Sequence, residues 1–149
     1  MNVYRIALSE YANDIIASGR KARWNSNGIF MVYAASSRAL ACLENAVHRS
    51  GEGLNKSFRS MVIHIPDDLE IAAVTRDELS MEWKNFDQQF ETQLIGDEWV
   101  KKRQSAILKV PSAIIWEENN YLINPVHEDF SRIKLASVDP FIFDSRLAK

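Results

Sequence analysis

The sequence predicts a single α+β domain, because its predicted strands outnumber its helices and do not alternate with them in regular βαβ units. The chain has 149 residues, of which 46% are hydrophobic and 26% charged, as in an ordinary globular protein. A chain of this length buries about two-thirds of the surface that its unfolded form exposes. We therefore expect one domain over residues 1–149, with mixed or antiparallel sheets and a few short helices.

Composition also limits where the protein acts. No apolar run approaches the roughly 18 residues of a membrane-spanning helix, and the N-terminus lacks the features of a secretory signal. Cys42 is the only cysteine, so there is no internal disulfide, and we interpret this residue as a small core side chain. These features favour a cytoplasmic protein without a membrane partner.

The charged residues predict neither a nucleic-acid surface nor a metal site. Lysine and arginine are spread along a chain of net charge −2, without the basic stripe that dominates nucleic-acid affinity. The three histidines, His48, His64 and His127, do not have the spacing of metal ligands. We expect no direct contact with nucleic acid and no bound metal.

The first predicted elements are two strands joined by a polar loop. Alternating side chains predict a strand over Asn2–Leu8 that carries Arg5, and a short helix follows from Ser9. Asparagine, serine and glycine at 25–28 predict a turn, after which residues 29–34 form the second strand.

A helix is predicted after this strand, with Ser36 or Ser37 as its N-cap, its end near His48 and stop signals at 50–51. Helical spacing places the following apolar residues on one arc that faces a sheet: Ala39, Leu40, Leu43, Ala46 and Val47. Glu44 lies at the margin of this arc. Its carboxylate either faces a crevice or is a solvated partner of His48 at i, i+4.

The second half of the chain contains most of the predicted strands. They cover residues 58–65, 106–115, 121–123, 133–138 and 141–143. Thr75 and Glu78 have the spacing of a capping box, and a helix is predicted over residues 92–102. A proline interrupts the longest strand, and Asn119 and Asn120 predict the turn of a hairpin, since asparagine tolerates positive φ.

Three polar residues in successive elements form the candidate site. Arg23 lies in the predicted loop, Tyr33 in the strand that follows it, and Glu44 in the helix. A loop, a strand and a helix so close in sequence can fold back on one another and bring these side chains to one cleft. A guanidinium in such a cleft suits a phosphate-bearing ligand.

Several short motifs recur in the order and spacing of a known family. They are Arg23-Trp24-Asn25, Tyr33, Glu44, Gly96-Asp97-x-Trp99, Val110-Pro111-Ser112 and Asn124-Pro125-x-His127. Together they resemble the RES-domain family, the toxins of bacterial RES–Xre toxin–antitoxin modules, over nearly the whole chain. The family is named after an arginine, a glutamate and a serine, which match Arg23, Glu44 and Ser112. It usually has two glycines before the arginine, where this chain has Lys21 and Ala22, residues that disfavour positive φ.

The resemblance implies a fold similar to ADP-ribosyltransferases and an enzyme that consumes NAD as its substrate, with no permanently bound cofactor. Arg23, and Arg5 with it, would bind the pyrophosphate, and Tyr33 would offer an aromatic face to the nicotinamide or ribose. Glu44 would hold a ribose hydroxyl and stabilise the cation that forms as neutral nicotinamide leaves. Ser112 would orient either the ribose or Glu44 through its hydroxyl.

Trp24 and Asn25, which follow the arginine, complete the expected NAD-binding residues. Structural alternatives stand beside these assignments. Arg23 is also interpretable as a turn residue stacked on Trp24, Tyr33 as a core aromatic, and Ser112 as a turn residue after a proline.

The resemblance further implies an Xre-like DNA-binding antitoxin that inserts part of its chain into the cleft. A homodimer within a larger toxin–antitoxin complex is an additional expectation. The sequence leaves open whether water, phosphate or a protein accepts the ADP-ribose. The functional alternatives are therefore an NAD glycohydrolase or phosphorolase, an ADP-ribosyltransferase, and a non-catalytic domain that holds a nucleotide or a partner.

Overall fold

The computed structural model describes residues 1–49, 53, 56–87 and 89–148, and in these ranges the chain forms one seven-stranded sheet and two α-helices. The strands are β1 (Asn2–Leu8), β2 (Val32–Ala35), β3 (Phe58–His64), β4 (Ile71–Ala73), β5 (Ile107–Pro111), β6 (Asn119–Ile123) and β7 (Lys134–Phe141). The helices are α1 (Arg38–Arg49) and α2 (Phe90–Lys102). The predicted α+β class is confirmed.

The sheet has the strand order β4-β5-β6-β2-β1-β3-β7. Every neighbouring pair is antiparallel except β4 and β5, which are parallel. The sheet is therefore mixed, as expected, and its centre is formed by β2 between β6 and β1.

Both helices pack on the same face of the sheet. Leu40 of α1 lies in a buried cluster with Ile6 of β1, and Trp99 of α2 lies in another with Leu122 of β6. Side chains alternate between faces along a strand. The opposite face therefore has its own core, which includes Val3, Val32, Ile63, Ile107 and Ile123. The space between the two helices is where polar residues of the sheet can be reached.

The hairpin between β5 and β6 turns earlier than predicted. Asn119 and Asn120 are not in the turn but are the first residues of β6. The chain reverses over residues 112–118, where the N–H of Ser112 donates to the carbonyl of Glu118 at 2.9 Å. The prediction was wrong because it relied on the preference of asparagine for turns. In the structure the Asn120 side chain instead binds the partly buried carboxylate of Glu44.

The C-terminal strands also differ from the prediction. Residues 134–141 form the single strand β7, although two short strands on either side of Pro140 were expected. β7 is the edge strand of the sheet, and an edge strand tolerates a proline because one side of its backbone needs no partner. Strand β4 was not predicted, since three residues are too few to show an alternation.

Helix α1 is rotated relative to the predicted apolar arc. Leu40 and Ala41 are its buried residues, whereas Ala39 is exposed and Val47 is 52% exposed. The arc was wrong because Asn45 faces the sheet and donates to the carbonyl of Ile6 at 3.0 Å. This bond turns Glu44 inward as well. The predicted stop signals at 50 and 51 lie outside the described residues.

Other local predictions agree with the structure in part. Thr75 and Glu78 form the predicted capping box, which begins a single 3-10 turn. The helix expected after Ser9 is also only a 3-10 turn, Ser9–Tyr11. Cys42 is half-buried at the margin of the Leu40 cluster, and this burial raises the pKa of its thiol. No helix within the described ranges is long and apolar enough to cross a membrane.

Candidate active site

The Glu44 carboxylate lies in a partly buried space between α1 and the start of β6. Ser37 caps α1 by accepting a hydrogen bond from the N–H of Leu40 at 3.1 Å, which confirms one of the two predicted caps. The side chain of Glu44 is 19% exposed. Of the two interpretations of this residue, the crevice-facing one therefore describes its position, although the contact with His48 also forms.

Two neutral donors hold one oxygen of this carboxylate. Ser112 Oγ donates to Glu44 Oε1 at 2.8 Å, and Asn120 Nδ2 donates to the same atom at 2.7 Å. Ser112 is fully buried, and its Oγ accepts the N–H groups of Ile114 and Ile115, each at 3.1 Å. These backbone bonds leave the hydroxyl hydrogen for Glu44. Ser112 is therefore placed so that its hydroxyl can orient Glu44.

The other oxygen faces a basic side chain. His48 Nε2 lies 3.5 Å from Glu44 Oε2, one helical turn further along α1, and the imidazole is 64% exposed. Burial by itself raises the pKa of Glu44, but hydrogen bonds from His48, Asn120 and Ser112 outweigh it. The net result is a pKa below the ordinary value of a glutamate, so the group is a carboxylate at neutral pH.

Helix α2 positions the loop that carries Arg23. Thr92 Oγ1 donates to the carbonyl of Arg23 at 2.5 Å, and Gln93 Nε2 donates to the carbonyl of Ala22 at 2.8 Å. Asp97 accepts from the N–H of Ser26 at 2.9 Å and from its hydroxyl. The carbonyls of Ala22 and Arg23 and the N–H of Ser26 are therefore tied to side chains of α2.

Gly96 explains the close approach of this loop. A Cβ at this position would lie 1.8 Å from the carbonyl oxygen of Trp24, so only glycine allows the contact. Trp99 packs in the core below and donates its indole N–H to Ser105 at 2.9 Å. The motif Gly96-Asp97-x-Trp99 is thus the surface on which the arginine loop rests.

The loop forms without the two glycines that Lys21 and Ala22 replace. Arg103 is the one described non-glycine residue with positive φ, so neither Lys21 nor Ala22 needs that conformation. The N–H of Ala22 donates to the carbonyl of Asn25 at 3.0 Å, and the N–H of Lys21 donates to Asn27 Oδ1 at 2.8 Å. The substitution is compatible with the loop.

The guanidinium of Arg23 is half-buried and partly engaged. Its NH1 donates to the carbonyl of Trp83 at 2.8 Å and its NH2 to that of Lys84 at 3.2 Å. It also lies over the ring of Trp83, 5.9 Å from the centroid. Burial lowers the pKa of Arg23, and the charge of Glu44 opposes that shift. The guanidinium keeps N–H groups that neither carbonyl uses.

Tyr33 joins the loop to the sheet. Its hydroxyl accepts the N–H of Trp24 at 3.0 Å and donates to Asn25 Oδ1 at 2.5 Å. Burial raises the pKa of the Tyr33 hydroxyl, which is therefore neutral. The hydroxyl is committed to the protein, and only the ring is left for the expected contact with nicotinamide or ribose.

Trp24 and Asn25 are both placed in the interior, each 2% exposed. Asn25 Nδ2 donates to the carbonyls of Arg20, Ser26 and Ile29. In the structure both side chains support the conformation of the loop that carries Arg23, and their direct binding to NAD stays a prediction.

Arg5 is separated from the other candidate residues. It pairs with Met61 on β3 and shares with Val3 and Ala7 the face of the sheet opposite α1. Its NH1 donates to the carbonyl of Ile16 at 3.1 Å. In the structure Arg5 therefore supports the segment after β1, and its contact with the pyrophosphate stays a prediction.

The structure thus brings Arg23, Tyr33, Glu44 and Ser112 to one side of the sheet and adds Asn120 to them. Asn120 was missed because it was assigned to a turn. The sequence contains a signal that Asn120 begins a strand, because it directly precedes an apolar run. No group of metal-ligating side chains occurs among the residues that the structure describes.

Comparison with known proteins finds related sequences. Residues 2–144 match the family model described as "RES domain". A relative from Sphingobium sp., named "Prs ADP-ribosylating toxin", is 38% identical over 143 residues, which cover 93% of this chain and 89% of that protein. A "Toxin Res" from Yersinia enterocolitica is 35% identical over 153 residues and covers 99% of each chain.

One solved structure has a similar fold. It is the M. tuberculosis MbcT–MbcA toxin–antitoxin complex, in which the matching chain superposes with a TM-score of 0.77. The match covers 99% of this chain and 86% of that chain, at 17% sequence identity. At this identity the likeness concerns the fold alone.

Proposed function

The chain belongs to the RES domain family, and we propose from that premise that it is the toxin of a toxin–antitoxin system and cleaves NAD at the nicotinamide–ribose bond. The observation that carries this proposal is the partly buried carboxylate of Glu44, one oxygen of which accepts hydrogen bonds from Ser112 at 2.8 Å and from Asn120 at 2.7 Å. Relatives named as toxins support the biological role.

In this proposal Arg23 binds the pyrophosphate of NAD. A guanidinium recognises phosphate oxygens with parallel charge-assisted hydrogen bonds, and the carbonyls of Trp83 and Lys84 fix its plane. The ring of Tyr33, anchored through its hydroxyl, lies between the arginine loop and the sheet. It is suited to contact the nicotinamide or the ribose.

Glu44 then acts on the reacting centre. As the bond between the ribose C1′ and the nicotinamide nitrogen breaks, the electron pair goes to the nitrogen and nicotinamide leaves neutral. No acid is needed for this departure, unlike an ordinary glycoside, so one carboxylate suffices. The negative charge of Glu44 stabilises the cation that develops at C1′. Attack by water gives ADP-ribose and a proton, and attack by phosphate gives the 1″-phosphorylated product.

A protein acceptor is the second candidate function. The Sphingobium relative is named as an ADP-ribosylating toxin and is 38% identical to this chain. Transfer to a side chain uses the same cleft and the same cation, and differs only in the nucleophile. A non-catalytic domain that holds a nucleotide or a partner is the third candidate.

The proposed partner is an Xre-like DNA-binding antitoxin whose acidic or carboxylate-bearing segment competes with the pyrophosphate for Arg23. The solved neighbour is a toxin–antitoxin complex, which supports an antitoxin as the class of partner. We also keep the proposals of a cytoplasmic location and of a homodimer within a larger complex.

The experiment that tests the function is incubation of the purified chain with NAD, followed by identification of the products by mass. Nicotinamide with ADP-ribose indicates hydrolysis, and nicotinamide with a phosphorylated ADP-ribose indicates phosphorolysis. A modified protein in added lysate indicates transfer. If NAD is intact under all three conditions, with a verified gene sequence, the chain is not an NAD-cleaving enzyme.

A further inference from the structure

The two oxygens of the Glu44 carboxylate are treated differently by the protein. Oε1 accepts two short hydrogen bonds, from Ser112 at 2.8 Å and from Asn120 at 2.7 Å. Oε2 lies 3.5 Å from the exposed imidazole of His48. Two donors on Oε1 restrain the plane of the carboxylate, and neither of them uses Oε2.

Asn120 reaches Glu44 because of its register in the sheet. It lies opposite Ala35 of β2 and Val110 of β5, on the face that α1 covers. Small Ala35 leaves room above the strand for the amide. The side chain therefore projects from a central, hydrogen-bonded strand, which is a more rigid support than a loop.

The orientation of this amide also indicates a specific role. Its Oδ1 is buried and has no hydrogen-bond partner among the described residues. A buried acceptor without a partner costs free energy, and such groups in a native protein call for an explanation. The explanation is the carboxylate of Glu44. The amide donates to this negative charge only when its Nδ2 points toward Glu44, and in that orientation its Oδ1 is left without a donor.

We propose that Asn120 is a positioning residue which, together with Ser112, holds Oε1 of Glu44 so that Oε2 faces the ribose of NAD. This inference rests on the proposed function. Asn120 acts through Glu44 and does not itself touch the reacting atoms. Its removal lets the carboxylate turn about its terminal bond, and a displacement of about 1 Å at a reacting group can cost roughly 10²-fold in rate.

The protonation of Glu44 gives a second consequence. His48 of α1 is the titratable group that contacts it, the charge of Glu44 also acts on Arg23, and Ser112 and Asn120 are neutral donors. Each donor favours the carboxylate form. Loss of the Asn120 donor therefore raises the pKa of Glu44, and the acid limb of the pH–kcat profile moves to higher pH.

Two substitutions test this positioning role. Asn120→Ala removes the donor, and Asn120→Asp keeps the shape but places a second carboxyl beside Glu44, so the pKa of the pair rises further. We expect both to lower kcat about 10²-fold with KM nearly unchanged, and to move the acid limb to higher pH, more for Asp than for Ala. Asn119→Ala is the matched control in the same strand, and it should keep the wild-type profile.

A measurement without turnover separates this inference from the proposed function. The pKa of Glu44 is read from the ¹³C NMR titration of the glutamate carboxyl signals, with Glu44→Gln used to assign the signal. A higher pKa in Asn120→Ala than in wild type and Asn119→Ala supports the role of Asn120 even if the wild type does not cleave NAD. An unchanged pKa, or an equal loss of kcat in Asn119→Ala, overturns it.

Discussion

Gly96→Ala is expected to damage the arginine loop although it lies in the middle of a helix and carries no chemistry. The new Cβ would lie 1.8 Å from the carbonyl oxygen of Trp24, and real Cβ atoms essentially never approach within 3.0 Å. The carbonyl must therefore retreat by about 1.2 Å, the difference between these distances. Trp24 is bonded directly to Arg23, so the guanidinium moves with it.

Two opposing effects decide how much Gly96→Ala changes the free energy of unfolding. Replacing glycine by alanine in a helix interior stabilises the helix by about 0.5–1 kcal/mol when there is space. Forcing extra volume into a packed contact costs about 1–3 kcal/mol. The carbonyl oxygen of Trp24 is a backbone atom that cannot rotate away, so the second effect dominates. We expect a net loss of about 1–2 kcal/mol in the free energy of unfolding.

The activity should fall more than the stability suggests. A displacement of about 1 Å of a substrate-binding group can cost roughly 10²-fold, and we expect that loss in kcat/KM for NAD. Urea denaturation gives the free energy of unfolding, and nicotinamide release gives kcat/KM. Leu94→Ala, on the exposed side of the same helix, is the control and should be near wild type. A Gly96→Ala variant that is more stable than wild type and fully active would refute the contact on which this reasoning depends.

Four further outcomes are expected. Arg23→Lys should raise KM for NAD about tenfold or more with a smaller change in kcat, because lysine cannot form two parallel hydrogen bonds to phosphate, and steady-state kinetics checks this. Asp97→Ala should destabilise the fold by about 1–3 kcal/mol, seen as a lower urea midpoint, because Ser26 loses its acceptor. The pKa of Glu44 lies below 4.5, the ordinary value of a glutamate, so kcat should be lost only when the pH falls below 4.5. Ser112→Ala removes one donor to Glu44, and the loss of kcat should then begin at a higher pH. Antitoxin at saturation should abolish NAD binding in a calorimetric titration, and unchanged NAD affinity would place any inhibition outside the cleft.

The sequence was sufficient for much of the local order of elements. The strand at β1 and the cap at Ser37 follow from alternation and from side-chain chemistry that acts within a few residues. The closeness of a loop, a strand and a helix in sequence predicts that Arg23 and Glu44 share one cleft, and this stays a prediction.

What the sequence could not provide depends on contacts between distant segments. Arg5 was assigned to the cleft because it is an arginine in a strand, but the pairing of β1 with β2 decides which face it occupies. Asn120 was assigned to a turn because its local preference is for turns, and only the register of β5 with β6 places it beside Glu44. The rotation of α1 likewise depends on one bond from Asn45 to β1.

The most direct test of the central claim compares wild type with Glu44→Gln for both nicotinamide release and NAD affinity. Glutamine keeps the size of the side chain and removes the charge that stabilises the ribosyl cation. We predict that kcat falls about 10²- to 10³-fold, while the dissociation constant for NAD changes only slightly, because Arg23 still binds the pyrophosphate. Wild-type turnover in Glu44→Gln, or loss of activity explained entirely by lost NAD binding, would contradict the role of Glu44 in the reaction.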